Sequence, residues 1–212
     1  MCRLLYLKSK DKIDTKEYLQ KFALICKNSK EYQGHGWGVS FYHNSKWKHY
    51  KNIKPIWEDD FSQFENSSRF IVHARSAFQD KDIIVENNMP FHDDNYVFVF
   101  NGELSGVKIK EDGRIGAEKI FNFIKRFDSG NIEQAVSKGI DILKKRTTYV
   151  RAINLIIADN KSAYVSSNFS EDEDYFTMHY YKDDSRLIIC SEPFDGETNW
   201  QKINNNSLGK FE

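Results

Sequence analysis

The sequence predicts an α+β sandwich, with strands in both halves of the chain and a pair of helices between them. Short stretches rich in β-branched and aromatic residues lie before and after two stretches of helical periodicity. Because helices and strands come in blocks and do not alternate, a doubly wound parallel sheet is not expected. No repeat or linker divides the 212 residues, so we expect one domain, 1–212, with a well-buried core.

Composition narrows the classes of function. Lys plus Arg (31) balance Asp plus Glu (31), which removes the electrostatic case for nucleic acid or an anionic membrane as the main partner. No apolar run approaches the roughly 18 residues of a membrane span, and the apolar start is too short for a signal peptide. A cytoplasmic location is therefore expected.

The first elements follow from local signals. Residues 2–7 are apolar enough to predict a buried strand. Asp14 is a suitable N-cap for the next helix, and Glu17, three residues later, would complete a capping box. The apolar residues of this helix recur at a spacing that places them on one face. They are Tyr18, Phe22, Ile25 and Cys26.

A hairpin, two helices and further strands account for the remaining chain. The polar turn His43-Asn44-Ser45 separates two strand-like stretches and so predicts the hairpin. The asparagine-rich tail 203–206 is expected to fray. In order, the expected elements are strands at 37–42, 46–50, 70–74 and 97–100, helices at 116–127 and 132–145, and strands at 153–158, 163–167, 175–181 and 187–190.

The three cysteines have neither the number nor the spacing of a disulfide framework or a zinc site. Cys26 and Cys190 fall in apolar elements and are expected to be core thiols. Cys2 differs, because trimming of Met1 would leave it with a free α-amine. Its thiol (reference pKa about 8.5) and amine (about 8) could then exchange a proton near neutral pH. On position alone, a strand that simply begins with a buried thiol is the alternative.

Several further segments occur in the order and spacing of a known family. They are Gly34-His35-Gly36-Trp37-Gly38-Val39-Ser40-Phe41-Tyr42, Val72-His73-Ala74-Arg75, Asn87-Asn88-Met89-Pro90-Phe91 and Phe100-Asn101-Gly102-Glu103-Leu104, with Met1-Cys2 before them and Ser191-Glu192-Pro193-Phe194 after. Together they resemble the class II glutamine amidotransferase domain of the N-terminal-nucleophile hydrolase superfamily, especially its short stand-alone members. The resemblance spans essentially the whole chain.

The resemblance implies a four-layer αββα sandwich and a set of catalytic roles. Cys2 is the expected nucleophile, and Asn101 with Gly102 the expected oxyanion hole. Arg75 is expected to clamp the substrate α-carboxylate, since its planar guanidinium can bind a carboxylate through two parallel hydrogen bonds. His73, on the same face of its strand, is a candidate second polar group of the site. No metal or organic cofactor is required.

Each of these residues also has a purely structural interpretation. Asn101-Gly102 after an alternating apolar stretch is a strong hairpin signal and, taken alone, predicts a turn. A lone arginine at the end of a strand is usually a solvated surface charge. His73 is more readily explained as a hydrogen-bonded structural histidine than as a substrate ligand.

The chain departs from the family pattern at two positions. Gly116 stands where the family has an aspartate that binds the α-amino group of the substrate, and Met89 replaces a common histidine. A buried ammonium without a carboxylate partner is costly. Asp112 is the nearest replacement. Three interpretations stay open: another acid replaces the aspartate, the substrate amine is not free, or catalysis has been lost.

The expected function is amide hydrolysis of glutamine or a γ-glutamyl compound through a thioester on Cys2. Ammonia would pass to a separate synthase subunit, or hydrolysis itself would be the purpose. The alternative is a catalytically weak amidotransferase-like binding or regulatory subunit.

Overall fold

The computed structural model describes residues 1–212 and places all twelve strands in two antiparallel sheets. The strands are β1 (Arg3–Ile13), β2 (Trp37–His43), β3 (Lys46–Asn52), β4 (Ser67–Ala74), β5 (Phe91–His92), β6 (Val97–Ser105), β7 (Tyr149–Ala158), β8 (Ala163–Ser167), β9 (His179–Lys182), β10 (Arg186–Cys190), β11 (Gln201–Lys202) and β12 (Ser207–Phe211). The helices are α1 (Thr15–Lys27), α2 (Gly116–Lys125), α3 (Ile132–Lys145) and the single turn α4 (Glu173–Phe176).

The seven-stranded sheet has the order β11-β9-β10-β1-β4-β2-β3, and the five-stranded sheet has the order β12-β8-β7-β6-β5. The amino-terminal strand β1 therefore lies inside the larger sheet, between β10 and β4. Its register is fixed on both sides, with Leu5 opposite Cys190 and opposite Val72. This central position anchors the start of the chain at one end of the sheet.

Two hydrophobic clusters define four layers. In one cluster, the α1 residues Leu19 and Phe22 pack with Leu5 and Val72 from the outer face of the larger sheet. In the other, Leu4 and residues of the smaller sheet share a core with α2 and α3. Because successive strand residues point to opposite faces, Leu4 faces the smaller sheet and Leu5 faces α1. The fold is an αββα sandwich, as predicted.

Most of the predicted elements are confirmed. The hairpin turns at Asn44 and Ser45, both with positive φ, which is the backbone form that two-residue hairpins require. The predicted core thiols Cys26 and Cys190 are buried. Asp14 caps α1 by accepting from the backbone N–H of Lys16. The capping box is wrong, because Glu17 forms an ion pair with Lys21 and does not return to the cap.

Two predictions near the carboxyl end are also wrong. The expected strand 175–181 begins instead with the helical turn α4 and becomes β9 only at His179. The asparagine-rich tail does not fray, because Asn205 exchanges two hydrogen bonds with the backbone of Phe169 (both 2.9 Å) and β12 follows on the edge of the smaller sheet. No helix of the chain combines the length and the apolar character needed to cross a bilayer.

Candidate active site

Cys2 and Arg75 lie at the same end of the larger sheet. Arg3 is opposite Ala74 in the register of β1 and β4, so Cys2 and Arg75 occupy the next pair of positions beyond the strands. Leu4 of this alternating series packs between the sheets, so Cys2 and Arg75 belong to the inner side as well. The Cys2 thiol contacts the carbonyl oxygen of Ser76 at 3.7 Å.

Arg75 is buried without a carboxylate partner. Its side chain is inside the protein, with 5% of the residue exposed, and its one side-chain hydrogen bond runs from Nη1 to Asn88 Oδ1 at 3.3 Å. Burial lowers the pKa of Arg75, whereas the Cys2 thiolate and Asp82 would raise it. Buried guanidinium groups are ordinarily paired. Arg75 is therefore not the solvated surface charge that its position alone would suggest.

The partner of Arg75 is itself held in place. Asn88 is fully buried, and its Nδ2 donates to the carbonyl oxygen of Asn52 at 2.8 Å. Gly36 makes room for it, because a side chain at Gly36 would overlap the Asn88 amide. Gly36 also has φ +106°, a conformation that side chains rarely adopt. The Gly34–Tyr42 segment thus leaves space for Asn88, the residue that holds the Arg75 side chain.

Asn101 lies in the middle of β6 and not in a turn. It pairs with Asn154 of β7, and the ladder continues to Ser105, so the hairpin interpretation of Asn101-Gly102 is wrong. Phe98 stacks on Phe121 of α2, and alternation therefore turns Asn101 toward the larger sheet. Asn101 is 1% exposed, yet its side-chain amide makes no hydrogen bond, and its Oδ1 is completely buried.

Gly102 follows at a point where the chain is closely packed. An added Cβ would overlap the Ala152 carbonyl oxygen and the Phe100 ring, so no other residue fits there.

The first residue of the chain lies close to this part of β6. Met1 packs beside Ala152, Tyr175 and Phe176, and Ala152 lies opposite Glu103, the residue after Gly102. The structure thus brings the start of the chain next to the Asn101-Gly102 pair.

The electrostatics of Cys2 combine opposing effects. Burial raises the pKa of the Cys2 thiol, while the positive amino terminus and the Arg75 guanidinium lower it. Glu31 raises it further. A thiol in this setting needs a nearby base to ionise at neutral pH.

His73 is completely buried on β4, two residues before Arg75. Burial first, and then the Arg75 charge, lower the pKa of His73 to about 3, so its ring is neutral at physiological pH. Neither ring nitrogen makes a hydrogen bond of standard geometry, although the nearby Phe100 carbonyl oxygen opposes part of the pKa drop. The expectation of a well hydrogen-bonded structural histidine is therefore not met. A role in substrate binding stays a prediction.

Asp112 is not brought into the site. It is exposed in the segment before α2, and its carboxylate makes neither an ion pair nor a hydrogen bond. Gly116 is the first residue of α2, and an added Cβ there would have nothing within 4 Å. The position of the expected aspartate is thus open space, and the nearest replacement in sequence points to solvent.

The structure adds residues that sequence reasoning missed. The sequence places Asn88 in a motif without giving it a role, and it gives Glu31, Gln33 and Tyr175 no role in the site. Glu31 and Gln33 follow α1, and Tyr175 comes from α4, yet all three contact Met1. No local pattern marks them, because the contact forms only when distant segments fold together.

Comparisons with known proteins agree with this geometry at the level of the fold. No family model matches the chain, and no curated protein matches it in sequence. Solved structures do match. A predicted glutamine amidotransferase from Pseudomonas aeruginosa PA01 is 15% identical with a TM-score of 0.63, over 99% of this chain and 97% of that one.

Two further structures have the same fold. A glutamine aminotransferase class-II domain protein from Silicibacter pomeroyi is 15% identical with a TM-score of 0.65, over 99% of this chain and 98% of that one. Glutamine phosphoribosylpyrophosphate amidotransferase from B. subtilis is 14% identical with a TM-score of 0.66, over 99% of this chain but 48% of that one. The predicted αββα sandwich is therefore confirmed, and these amidotransferase structures share its fold.

Proposed function

We propose that this protein is an amide hydrolase of the class II glutamine amidotransferase type, with Cys2 as nucleophile after Met1 is removed. One observation carries the proposal. A thiol, a buried arginine without an acid and a buried asparagine amide without a partner belong to one end of the sandwich. Buried polar groups without partners are costly, so a buried guanidinium without an acid and a buried amide without a hydrogen bond, both on the inner side where the thiol lies, suit a site that binds a ligand.

The reaction follows from the roles of these groups. The α-amine of Cys2 takes the thiol proton, and the thiolate attacks the side-chain amide carbon of the substrate. Asn101 and Gly102 hold the oxyanion that forms, and Arg75 holds the α-carboxylate. The C–N bond then breaks, and the leaving nitrogen takes the proton back from the α-ammonium. Water attacks the resulting thioester, which releases the carboxylic acid and restores the Cys2 thiol.

The substrate is glutamine or a γ-glutamyl compound, and the open position at Gly116 bears on the choice. With Asp112 exposed and unpaired, no carboxylate from this segment reaches a free α-ammonium group. This favours a γ-glutamyl compound whose α-amine is not free over plain glutamine. An ammonia-accepting synthase subunit is a further candidate partner, and copurification of such a subunit would identify it.

The first test is the intact mass of the purified protein before and after a glutamine-like diazoketone. We expect loss of Met1 and one adduct that maps to Cys2. Cys26 and Cys190 are buried and serve as internal controls that stay unlabelled. Cys2→Ala should abolish labelling and hydrolysis without lowering the melting temperature. Hydrolysis retained by Cys2→Ala would exclude Cys2 as nucleophile, and a processed protein that takes no adduct would favour a different amide substrate or the binding-subunit alternative.

Gly116→Asp tests the missing carboxylate. The added side chain has space, so we expect the KM for glutamine to fall about 10- to 100-fold, the value of one hydrogen bond to a charged group. Gly116→Asn is the uncharged control and should give little of this gain. Steady-state kinetics would give the KM of each variant for glutamine and for an N-blocked γ-glutamyl amide. An unchanged KM for glutamine would mean that the pocket is built for another substrate.

A further inference from the structure

Residue 1 occupies a built pocket. The side chain of Met1 is 9% exposed, and its amino group forms an ion pair with Glu31 Oε2 at 2.5 Å. Its carbonyl oxygen accepts hydrogen bonds from Gln33 Nε2 and from the Tyr175 hydroxyl, the latter at 2.7 Å. Gln33 is completely buried and Tyr175 nearly so. Three polar side chains from two separate segments thus converge on the backbone of residue 1.

Covalent geometry decides what these side chains meet after cleavage. In any peptide unit the carbonyl oxygen lies about 2.2 Å from the nitrogen of the next residue. The Tyr175 hydroxyl, 2.7 Å from the Met1 oxygen, is therefore within about 5 Å of the Cys2 nitrogen, and the Gln33 amide is equally near. When the Met1–Cys2 bond is cut, the new amino group appears inside the same pocket.

We propose that Glu31, Gln33 and Tyr175 form the pocket that holds the α-amino group of Cys2, an inference that rests on the proposed function. The three are positioning residues that act through the amine. Gln33 gives a specific reason to place the amine in this pocket, because its Oε1 is buried and has no hydrogen-bond partner while Met1 is in place. An amine has the N–H donors that this oxygen lacks.

The pocket is braced by two arginines. Arg151 bridges Glu31 at 3.4 Å and Glu103 at 3.2 Å, which limits how far the Glu31 carboxylate can move. The Arg3 guanidinium carbon lies 4.1 Å from the Tyr175 ring centroid, and Arg3 Nη1 donates to the Tyr175 carbonyl oxygen at 3.2 Å. Bracing of this kind keeps catalytic groups in a productive geometry.

The charges around the amine act on its pKa in opposite directions. A carboxylate within a few ångströms favours the ammonium form and raises the pKa of an amine, whereas nearby cations and burial lower it. The charged and titratable groups near the amine are Glu31, the cations Arg3, Arg75 and Arg151, the acids Glu103, Glu171 and Asp172 that pair with Arg151, and Cys2, His35, His73 and Tyr175. Glu31 is the acid that contacts the amino terminus.

The experiment measures the pKa of the Cys2 amine directly. Protein labelled with [15N]cysteine and carrying Cys2 as first residue, released by a site-specific protease where processing is incomplete, is titrated by NMR. Glu31→Gln should lower the amine pKa by about 1–3 units. Glu103→Gln is the matched control, because it removes a carboxylate from the same Arg151 cluster without touching the amino terminus. Glu31→Asp should restore most of the wild-type value.

Activity gives the second readout. Because the free amine of Cys2 must accept the thiol proton, hydrolysis of an N-blocked γ-glutamyl-p-nitroanilide fails as the pH falls below the amine pKa. Glu31→Gln should therefore move the acidic limb of kcat/KM to lower pH by the same amount. An amine pKa unchanged in Glu31→Gln would overturn the inference even if hydrolysis is normal. A shifted pKa in a protein without hydrolysis would support the pocket and contradict the proposed function.

Discussion

Two asparagines in directly opposite positions behave differently. Asn101 of β6 and Asn154 of β7 are paired in register, and both are buried. Asn154 uses both ends of its amide, since Nδ2 donates to Phe176 O at 2.7 Å and Oδ1 accepts from Asn168 N at 3.0 Å. Asn101 uses neither. Both asparagines are buried at paired strand positions, so the difference between them is the hydrogen bonding of their side-chain amides.

Arg151 and Arg75 differ in the same way, one being fully paired and the other having no acid partner. Arg151 contacts four carboxylates, those of Glu31, Glu103, Glu171 and Asp172. Arg75, more deeply buried, contacts none. A fully paired group contributes to stability, whereas an unpaired buried group lowers stability until a ligand arrives. The difference fits the proposed function, in which Arg151 and Asn154 stabilise the sandwich and Arg75 and Asn101 bind the substrate.

The largest effect is expected from the asparagine pair. Asn101→Ala should lower kcat about 10²- to 10³-fold, the usual effect of losing one oxyanion donor. Its melting temperature should stay near that of the wild type, because no hydrogen bond is lost. Asn154→Ala should do the reverse and lower the free energy of unfolding by about 1–3 kcal/mol for each backbone group left unpaired.

Steady-state kinetics and urea unfolding on both variants would measure this double dissociation. A strong loss of stability in Asn101→Ala would mean that its amide has a structural partner, and the contrast between the two positions would disappear.

Arg75 should give the next largest effect. Arg75→Lys keeps the charge but loses the two-pronged guanidinium, so we expect KM to rise about 10- to 100-fold with a smaller change in kcat. Arg75→Met should bind no carboxylate substrate yet unfold no more easily than the wild type, because it removes a buried charge that has no acid partner. A destabilised Arg75→Met would show that the Asn88 hydrogen bond is a structural contact.

Sequence reasoning predicted the layers, which the structure confirms, and named most of the residues of the candidate site, for identifiable reasons. Hydrophobic periodicity located α1, the hairpin and the helix pair, because those signals are local. The motif containing Asn101 and Gly102 was found by family resemblance, whereas local turn chemistry gave the wrong answer there. The dipeptide favours a turn in isolation, but pairing with β7 along the whole of β6 overrides that preference.

Other features lay beyond what the sequence can reveal. That Arg75 lacks an acid, that Asp112 faces solvent and that Glu31, Gln33 and Tyr175 converge on residue 1 all depend on contacts between distant segments. The helical turn α4 was mistaken for a strand because Tyr175 and Phe176 are aromatic residues that favour strands.

The way residue 1 is enclosed has a consequence for when the protein matures. Two of the residues that enclose it, Gln33 after α1 and Tyr175 of α4, are 142 positions apart in the sequence, so the enclosure forms only when distant segments fold together. Before that, the first residues are open to an aminopeptidase. In the folded protein the Met1 side chain is 9% exposed and its amino group is paired with Glu31. If the proposed function holds, we therefore expect methionine removal to precede folding, and chains that fold first to keep a blocked Cys2 amine.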